Sequence, residues 1–506
     1  MSDPEPTDVL SLKDSARRSL PYAVLSGAFR IVLSLTGMLL LVRYLPPNLY
    51  GKWAVMIGFG APIILFSSLG FLHSLMRFTP ALEDAEGRSR FLWSVLFRRL
   101  AVALVICIAT FLAFPLFAER LGLAEQSEVL SWLIPGFFLL TASQYLVVGL
   151  NAGFHQREVF YGSVLQQSGI LITVLLGIQW KADLVYFAAA QFVANAIYTL
   201  FNLTVAIRYL GGPRWVDLKT KHHEGSEETH YRRSSFVDDL GNSFISPDMS
   251  RFILAAFSTS PQVAIYAVAT NIVQRLRALM PLEVFRPLAT VVFFKRFEET
   301  STIAEINRMF HLLFTVNRIV TVAYLALFIP IGHEALVWVF RADYGDSYLP
   351  ALALLISMGV FGMPIGLVAQ TLRRPQWLVY SKIAVLLNLG LGIPLTIEYG
   401  ALGMACATAL SELSKNLIVY GLLRREFEIR YPWGASIRIF MAATVVALLL
   451  LFLKQHINFI VAGGLGGVAW LVSIRVFQVL SNDQRQLLRG VTPPRFQKAL
   501  GLLVGA

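Results

Sequence analysis

This sequence predicts an all-α polytopic membrane protein, and three observations carry that reading. Of its 506 residues 56% are hydrophobic and 15% charged, with a mean hydropathy of +0.63. That balance is too apolar for a soluble chain, and the length is too great for one span. The apolar residues fall in continuous runs of about 20, the length of a helix crossing roughly 30 Å of hydrocarbon, whereas a membrane barrel shows shorter alternating segments. The basic residues cluster in every second break between those runs.

Read between charged or Pro/Gly-rich breaks, the runs place about fourteen helices. They lie near 20–44, 49–73, 91–117, 128–152, 159–179, 183–209, 237–258, 263–287, 309–332, 348–371, 377–397, 400–423, 434–453 and 457–480. The seventh is the least typical, because Ser246, Pro247, Asp248 and Arg251 lie inside it. The polar N-terminus is acidic before it turns basic, and the first run has full spanning length, so it does not read as a cleaved signal peptide. Cys107 and Cys406 both sit inside apolar runs and support neither a disulfide framework nor a thiolate metal site.

An even number of spans puts both termini on one side. Of the 43 Lys and Arg residues, about 29 fall on that side, about 6 opposite and about 8 within spans. By the positive-inside rule the termini are cytoplasmic, and the net charge of +12 reflects orientation in a membrane rather than nucleic-acid binding. The expected organisation is a tail at 1–19, an N-lobe at 20–210, a cytoplasmic linker at 211–236, a C-lobe at 237–425, two further helices at 426–480 and a tail at 481–506. The linker is rich in Gly, His, Glu and Ser and cannot bury a core. A weak repeat at an offset of about 216 residues aligns VRYLPPNLYGKWAV (42–55) with FSTSPQVAIYAVA (257–269), placing Tyr50 over Tyr266. Six helices per repeat relate the lobes by a pseudo-twofold axis along the membrane normal, with a central cavity between them.

The stretch from Tyr50 and Gly51 through Leu69 and Gly70 to Arg77 and Pro80 resembles the opening of the oligosaccharide and polysaccharide flippases. These Wzx-like proteins belong to the multidrug/oligosaccharidyl-lipid/polysaccharide exporter superfamily. Asp248 and Arg251 before AAFSTSPQVAIYAVA, and EYGALGMACATALSE at 398–412, are similar to two further segments of that family, although Ala264 stands where it has glycine. The resemblance covers about residues 15–425. It implies two six-helix lobes around a cavity plus two C-terminal helices, in the bacterial inner membrane. The implied activity is flipping of undecaprenyl-pyrophosphate-linked glycans by alternating access, without a cofactor and without catalysis. The implied partners are the lipid-linked glycan, the bilayer, and polymerase or export enzymes of the same assembly route, with no nucleic acid.

The organising stretch is Tyr266–Arg286, apolar enough to span yet carrying Arg275, Arg277 and Glu283. An arginine facing hydrocarbon costs roughly 2.5 to 3.5 kcal/mol on insertion scales, so these side chains are expected to face a bundle interior or wet cavity. Arg30, Arg251, Arg275 and Arg318 come to similar depths. With Arg277 they are the candidate binding residues for a pyrophosphate, whose geometry suits guanidinium forks. Local pairing is the competing reading for Arg251 with Asp248, Arg286 with Glu283 and Lys415 with Glu412. Asp248, Asn388 and Glu412 are the candidates for a coupling-cation site. The amides of Gln144, Asn151, Gln166, Gln167, Gln191, Asn195 and Asn202 fit either sugar hydroxyls or interhelical hydrogen bonds. Trp53, Trp132, Trp180, Trp377 and Trp433 read as interfacial anchors.

Spans one to six hold no Asp or Glu in their interiors. That favours an anionic substrate over the rival reading of a cation-coupled exporter of drugs or small amphiphiles, which calls for a buried carboxylate. A glycan polymerase or glycosyltransferase, the rival of another class, calls for a large polar loop bearing catalytic residues, and the longest polar segment here is the 211–235 linker.

Overall fold

The computed structural model describes residues 27, 29–79, 82, 85–153, 155–213, 225–284, 302–372, 374 and 376–491. Among them the chain is helical throughout and contains no strand. The tail at 1–19, the central part of the linker, Arg286 and the residues beyond 491 lie outside the described residues. Ten helical stretches among the described residues are long and apolar enough to cross a membrane, and one of these, Gln376–Phe427, is bent at Gly400 (φ 55°, ψ −129°). The protein is therefore an all-α polytopic membrane protein. It divides into two compact units, Met1–Ala264 and Ile265–Ala506.

In the first unit, α1 covers 29–44 and α2 covers Pro47–Gly58, where Pro46 and Pro47 set the entry: a proline at the first helical position has no N–H to leave unpaired. α3 (Gly60–Ser68) ends as Leu69 and Gly70 both turn left-handed, at φ 46° and 82°. The second apolar run therefore stops at Ser68 rather than 73, and Phe71–Phe78 forms a separate amphipathic helix, α4. Then come α5 (Ala85–Ala118), α6 (Ser127–Ala152), α7 (Gln156–Gln179) and α8 (Leu184–Leu210). Leu104, Val105, Ile108, Leu112 and Leu116 are exposed along α5, as expected of a face whose solvent is lipid.

The irregular seventh span is two helices. α9 (Ser226–Phe244) is polar and α10 (Pro247–Phe257) apolar, with the Ser246 hydroxyl accepting from the Met249 N–H to cap the second. Residues 226–236, expected as linker, are thus helical. Glu227 and Glu228 in the first turn of α9 suit the positive end of the helix dipole.

α11 (Ser260–Ala278) contains the boundary between the units, and α12 (Pro281–Val284) follows it. The second unit continues with α13 (Ile303–Phe340), α14 (Tyr348–Ile356), a π-helical turn at Ser357–Phe361, and α15 (Ile365–Thr371). α16 (Gln376–Tyr380), α17 (Ala384–Phe427), α18 (Trp433–Leu453), α19 (Phe459–Val476) and α20 (Asn482–Val491) complete it. α18 and α19 bury Ile439, Val446, Leu450 and Trp470 against Val322 and Ala326 of α13. The last two spans therefore belong to the core of this unit.

The Tyr50-Gly51 pair has a packing reason. Tyr50 is buried, and a Cβ on Gly51 would lie 1.8 Å from the carbonyl oxygen of Ser260, a backbone atom that cannot rotate away. Gly51→Ala is accordingly expected to destabilise the purified protein by about 1 to 3 kcal/mol, the usual cost of overpacking. Gly464→Ala, inside α19 where a Cβ meets nothing within 4 Å, is expected to keep or slightly raise the unfolding temperature in detergent, since alanine favours helix over glycine.

Candidate functional site

In the second unit Arg275 and Arg277 stand on α11, Arg318 on α13, and Glu412 and Lys415 on α17. Arg277, in the last turn of α11, donates through Nη2 to both carboxylate oxygens of Glu412, at 3.0 and 3.2 Å. Ser357, the first residue of the π turn, donates to Glu412 Oε2 at 3.1 Å, and the charge of Lys415 also acts on this carboxylate. The guanidinium side chain is 44% exposed and the carboxylate 20%, so the pair is sheltered yet reachable. Sequence spacing paired Glu412 with Lys415, whose charge does act on it, and the fold adds Arg277 of α11 as a partner that spacing could not show. Arg275 lies half-buried two residues before Arg277, about 200° round the helix from it.

Arg318 is 2% exposed and built into the core. It donates to Tyr431 Oη and, at 2.7 Å, to the carbonyl of Val360 in the π turn, while its charge lies 4.2 Å from the centre of the Phe314 ring. Such a cage compensates a cation that hydrocarbon cannot. Asn388 is also fully buried and accepts from Thr408 Oγ1 at 3.4 Å, and Thr408 lies 3.3 Å from Tyr266 Oη. Asn388 and Glu412 are thus engaged by different partners. Among the described residues no cluster of three or more His, Cys, Asp or Glu side chains comes together to hold a metal.

In the first unit Arg251 donates to Asp248 at 2.9 Å, the i,i+3 pairing that the spacing allows. Arg30 is exposed on α1, and its charge acts on Tyr198 of α8. Two of the amides form interhelical bonds: Gln166 of α7 donates to Asn195 of α8 at 2.9 Å, and Asn195 donates to the Gly136 carbonyl of α6 at 3.1 Å, whereas Asn202 donates to the Tyr198 carbonyl of its own helix at 3.0 Å. Thr199 of α8 donates to Leu139 O at 2.9 Å and lies 2.8 Å from Ser143 Oγ. Helix packing in lipid, where no hydrophobic drive separates helix from tail, relies on such bonds.

A family profile described as polysaccharide biosynthesis protein matches residues 17–297. The chain belongs to that family. Among solved structures it is similar to the lipid II flippase MurJ in an inward closed conformation, with a TM-score of 0.73 at 14% identity, covering 92% of this chain and 99% of that one. An inward-facing multidrug-resistance MATE transporter gives a TM-score of 0.64 at 16% identity, covering 80% and 98%. The Vibrio cholerae MATE transporter VcmN gives 0.55 at 14%, covering 83% and 99%. At these identities the likeness establishes a shared fold. None of the curated proteins matches the sequence.

Sequence reasoning missed a second charged assembly, where α4 meets α9. His73 Nε2 lies 2.9 Å from Asp239 Oδ2, and Arg77 donates to Glu227 at 2.8 Å while sitting 4.4 Å above the Tyr231 ring. Arg99 and Arg232 each lie 4.4 Å from the Phe71 ring. Trp53 and Trp377, read as interfacial anchors, are buried, whereas Trp132, Trp180 and Trp433 are exposed. The available signal was the Arg77 to Pro80 element together with the acidic opening of α9, but no periodicity links segments 150 residues apart.

Two outcomes follow from these contacts. Tyr431→Phe removes an acceptor from the buried Arg318 and is expected to cost about 1 to 3 kcal/mol in unfolding free energy, read by thermal or denaturant unfolding in detergent. The hydrogen bond to Asp239 raises the His73 pKa above its ordinary 6.5 despite partial burial, with the charges of Asp239 and Asp238 adding to the effect. Its contribution to stability is then full below about 6.5 and lost as pH rises through the higher folded value. His73→Gln is expected to flatten the pH dependence of the unfolding temperature across that window.

Proposed function

We propose that this protein is a flippase that moves undecaprenyl-pyrophosphate-linked oligosaccharide units across the bacterial inner membrane by alternating access. The pyrophosphate and sugars pass through the protein while the lipid tail stays in the bilayer. The observation that carries the reading is the charge pattern of the spanning helices in a polysaccharide biosynthesis protein: arginines at membrane depth on α1, α10, α11 and α13, and no carboxylate inside the first six spans. Polyprenyl pyrophosphate is the lipid intermediate whose headgroup such arginines suit, since guanidinium forks bind phosphate oxygens in pairs.

Arg30, Arg275 and Arg277 are the side chains on which anion binding is placed, because Arg30 and Arg277 are exposed and Arg275 is half-buried at these depths. Arg251 and Arg318 act on the site through the structure they hold: the first bonds Asp248 and the second bonds Tyr431 and Val360. Asp248, Asn388 and Glu412 remain as acceptors for coupling. A cation is not required, because a negative-inside potential drives a buried anion outward by about 2.3 kcal/mol per charge per 100 mV. Both chain ends lie in the cytoplasm in this reading, on the strength of the basic bias, and the downstream partners are the enzymes that polymerise or export the glycan. The chain itself performs no bond chemistry.

The test is reconstitution into proteoliposomes with a fluorescent undecaprenyl-pyrophosphate oligosaccharide, scoring its transfer between leaflets. Arg30→Ala and Arg275→Ala, at matched protein levels, are each expected to lower the initial rate at least about tenfold, the scale of losing a charge-assisted phosphate contact. Absence of transfer by the wild type, with export of cationic drugs in its place, would overturn the proposal.

A further inference from the structure

We infer that Glu412 is an internal counter-ion that competes with the substrate's phosphates for Arg277, and that Ser357 passes this exchange to the π-helical turn. The inference rests on the flippase reading above and deepens it by naming how occupancy moves a helix.

The geometry begins with one carboxylate touching two elements. Glu412 on α17 holds Arg277 of α11 and is held in turn by Ser357. Ser357 opens the five-residue π turn, and the chain leaves helical geometry directly after it, at Gly362 with ψ 119°. Helix resumes only at Ile365. Interrupted helix at membrane depth is tolerated where neighbouring groups satisfy the freed backbone, and π turns and broken spans recur at functional sites. Here Arg318 supplies that satisfaction by donating to the carbonyl of Val360.

The turn is therefore pinned at both ends by side chains of unequal character. At Val360 the pin is a buried cation enclosed by Phe314 and Tyr431. At Ser357 it is a carboxylate whose own partner is 44% exposed. In between, the turn is packed tightly, since a Cβ on Gly359 would lie 2.6 Å from Leu325 Cδ1. The turn is fixed at one end, and at the other the Ser357 hydroxyl chooses between Glu412 Oε2 at 3.1 Å and the Ala409 carbonyl of α17 at 3.4 Å, so a change in the ion pair can shift its bond.

An arriving pyrophosphate carries more charge than a carboxylate and offers paired oxygens to the guanidinium. It draws Arg277 from Glu412, and the carboxylate then rests on Ser357 and the nearby charge of Lys415, altering the pull on the first residue of the turn. When the substrate leaves, Glu412 recaptures Arg277. The pair thus lowers affinity in order to permit release, and a site without the competitor holds its anion longer.

The experiment uses the full-length protein and two readouts. Binding of farnesyl pyrophosphate is titrated in detergent, with farnesol as the neutral control, and flipping of the fluorescent undecaprenyl-pyrophosphate oligosaccharide is followed in proteoliposomes. Glu412→Gln is expected to tighten farnesyl pyrophosphate about tenfold and slow maximal flipping by a similar factor, a typical coupling between sites. Arg277→Ala is expected to weaken that binding about tenfold and to abolish the tightening when combined with E412Q. Ser357→Ala is expected to keep Kd within about twofold of wild type while slowing flipping several-fold, on the order of one coupling contact.

A wild type that neither binds farnesyl pyrophosphate nor flips would sink the flippase reading itself. A wild type that does both, beside an E412Q that binds no tighter or an S357A that flips at the wild-type rate, would overturn the counter-ion inference alone. Should E412Q fail to fold, the S357A comparison decides by itself.

Discussion

A guanidinium cannot face hydrocarbon, and much of the second unit is arranged around that constraint. Arg318 meets it with an aromatic enclosure, a phenol and a backbone carbonyl; Arg277 meets it with a carboxylate. The two solutions differ in what they permit. A cation caged by rings and a main-chain oxygen does not leave easily, because its bonds would then be broken in a medium without water to replace them. An ion pair with one accessible member can open whenever a better anion arrives. Both are linked to one interrupted helix, so the same five residues feel a permanent restraint and a conditional one.

The first unit solves a gentler version of the problem. Its deep polar groups are mostly neutral, and they satisfy one another across α6, α7 and α8 through Gln166, Asn195, Thr199 and Ser143. A cluster of its charges lies where α4 meets α9, where His73, Arg77 and Arg232 find carboxylates or aromatic faces. Those ion pairs tie a short amphipathic helix to a polar one, a region built of contacts that pH and salt can weaken while the apolar spans are untouched.

The fold was legible from the sequence because the bilayer imposes a length: runs of about 20 apolar residues could only be helices, and eleven of the fourteen expected runs fall on the ten long apolar stretches among the described residues, those near 20–44, 237–258 and 263–287 being the exceptions. Ends were less legible. Leu69 and Gly70 stop α3 by adopting left-handed conformations that hydropathy does not register, and α9 is too polar to show as part of a span. At the candidate site the types of residue were readable and their partners were not. Arg251 and Asp248 sit three residues apart and could be paired by inspection. Arg277 and Glu412 are separated by 135 residues, and Arg318 reaches Tyr431 and Val360 across two other elements. Such pairings are decided by how helices cross, which a single sequence records only as compatible composition.

The segment joining α17 to α18 has a consequence of its own. Tyr431 is both the phenol that receives Arg318 and the neighbour of Trp433, 4.5 Å between ring centres, at the start of α18. The loop, together with the Phe440 ring of α18, its centre 5.8 Å from the guanidinium, is therefore the far wall of the chamber around a buried charge. A shortened chain ending at Phe427 would leave Arg318 facing a gap where a hydroxyl belonged. The helices up to Phe427 are incomplete by electrostatics, and the loop into α18 closes them.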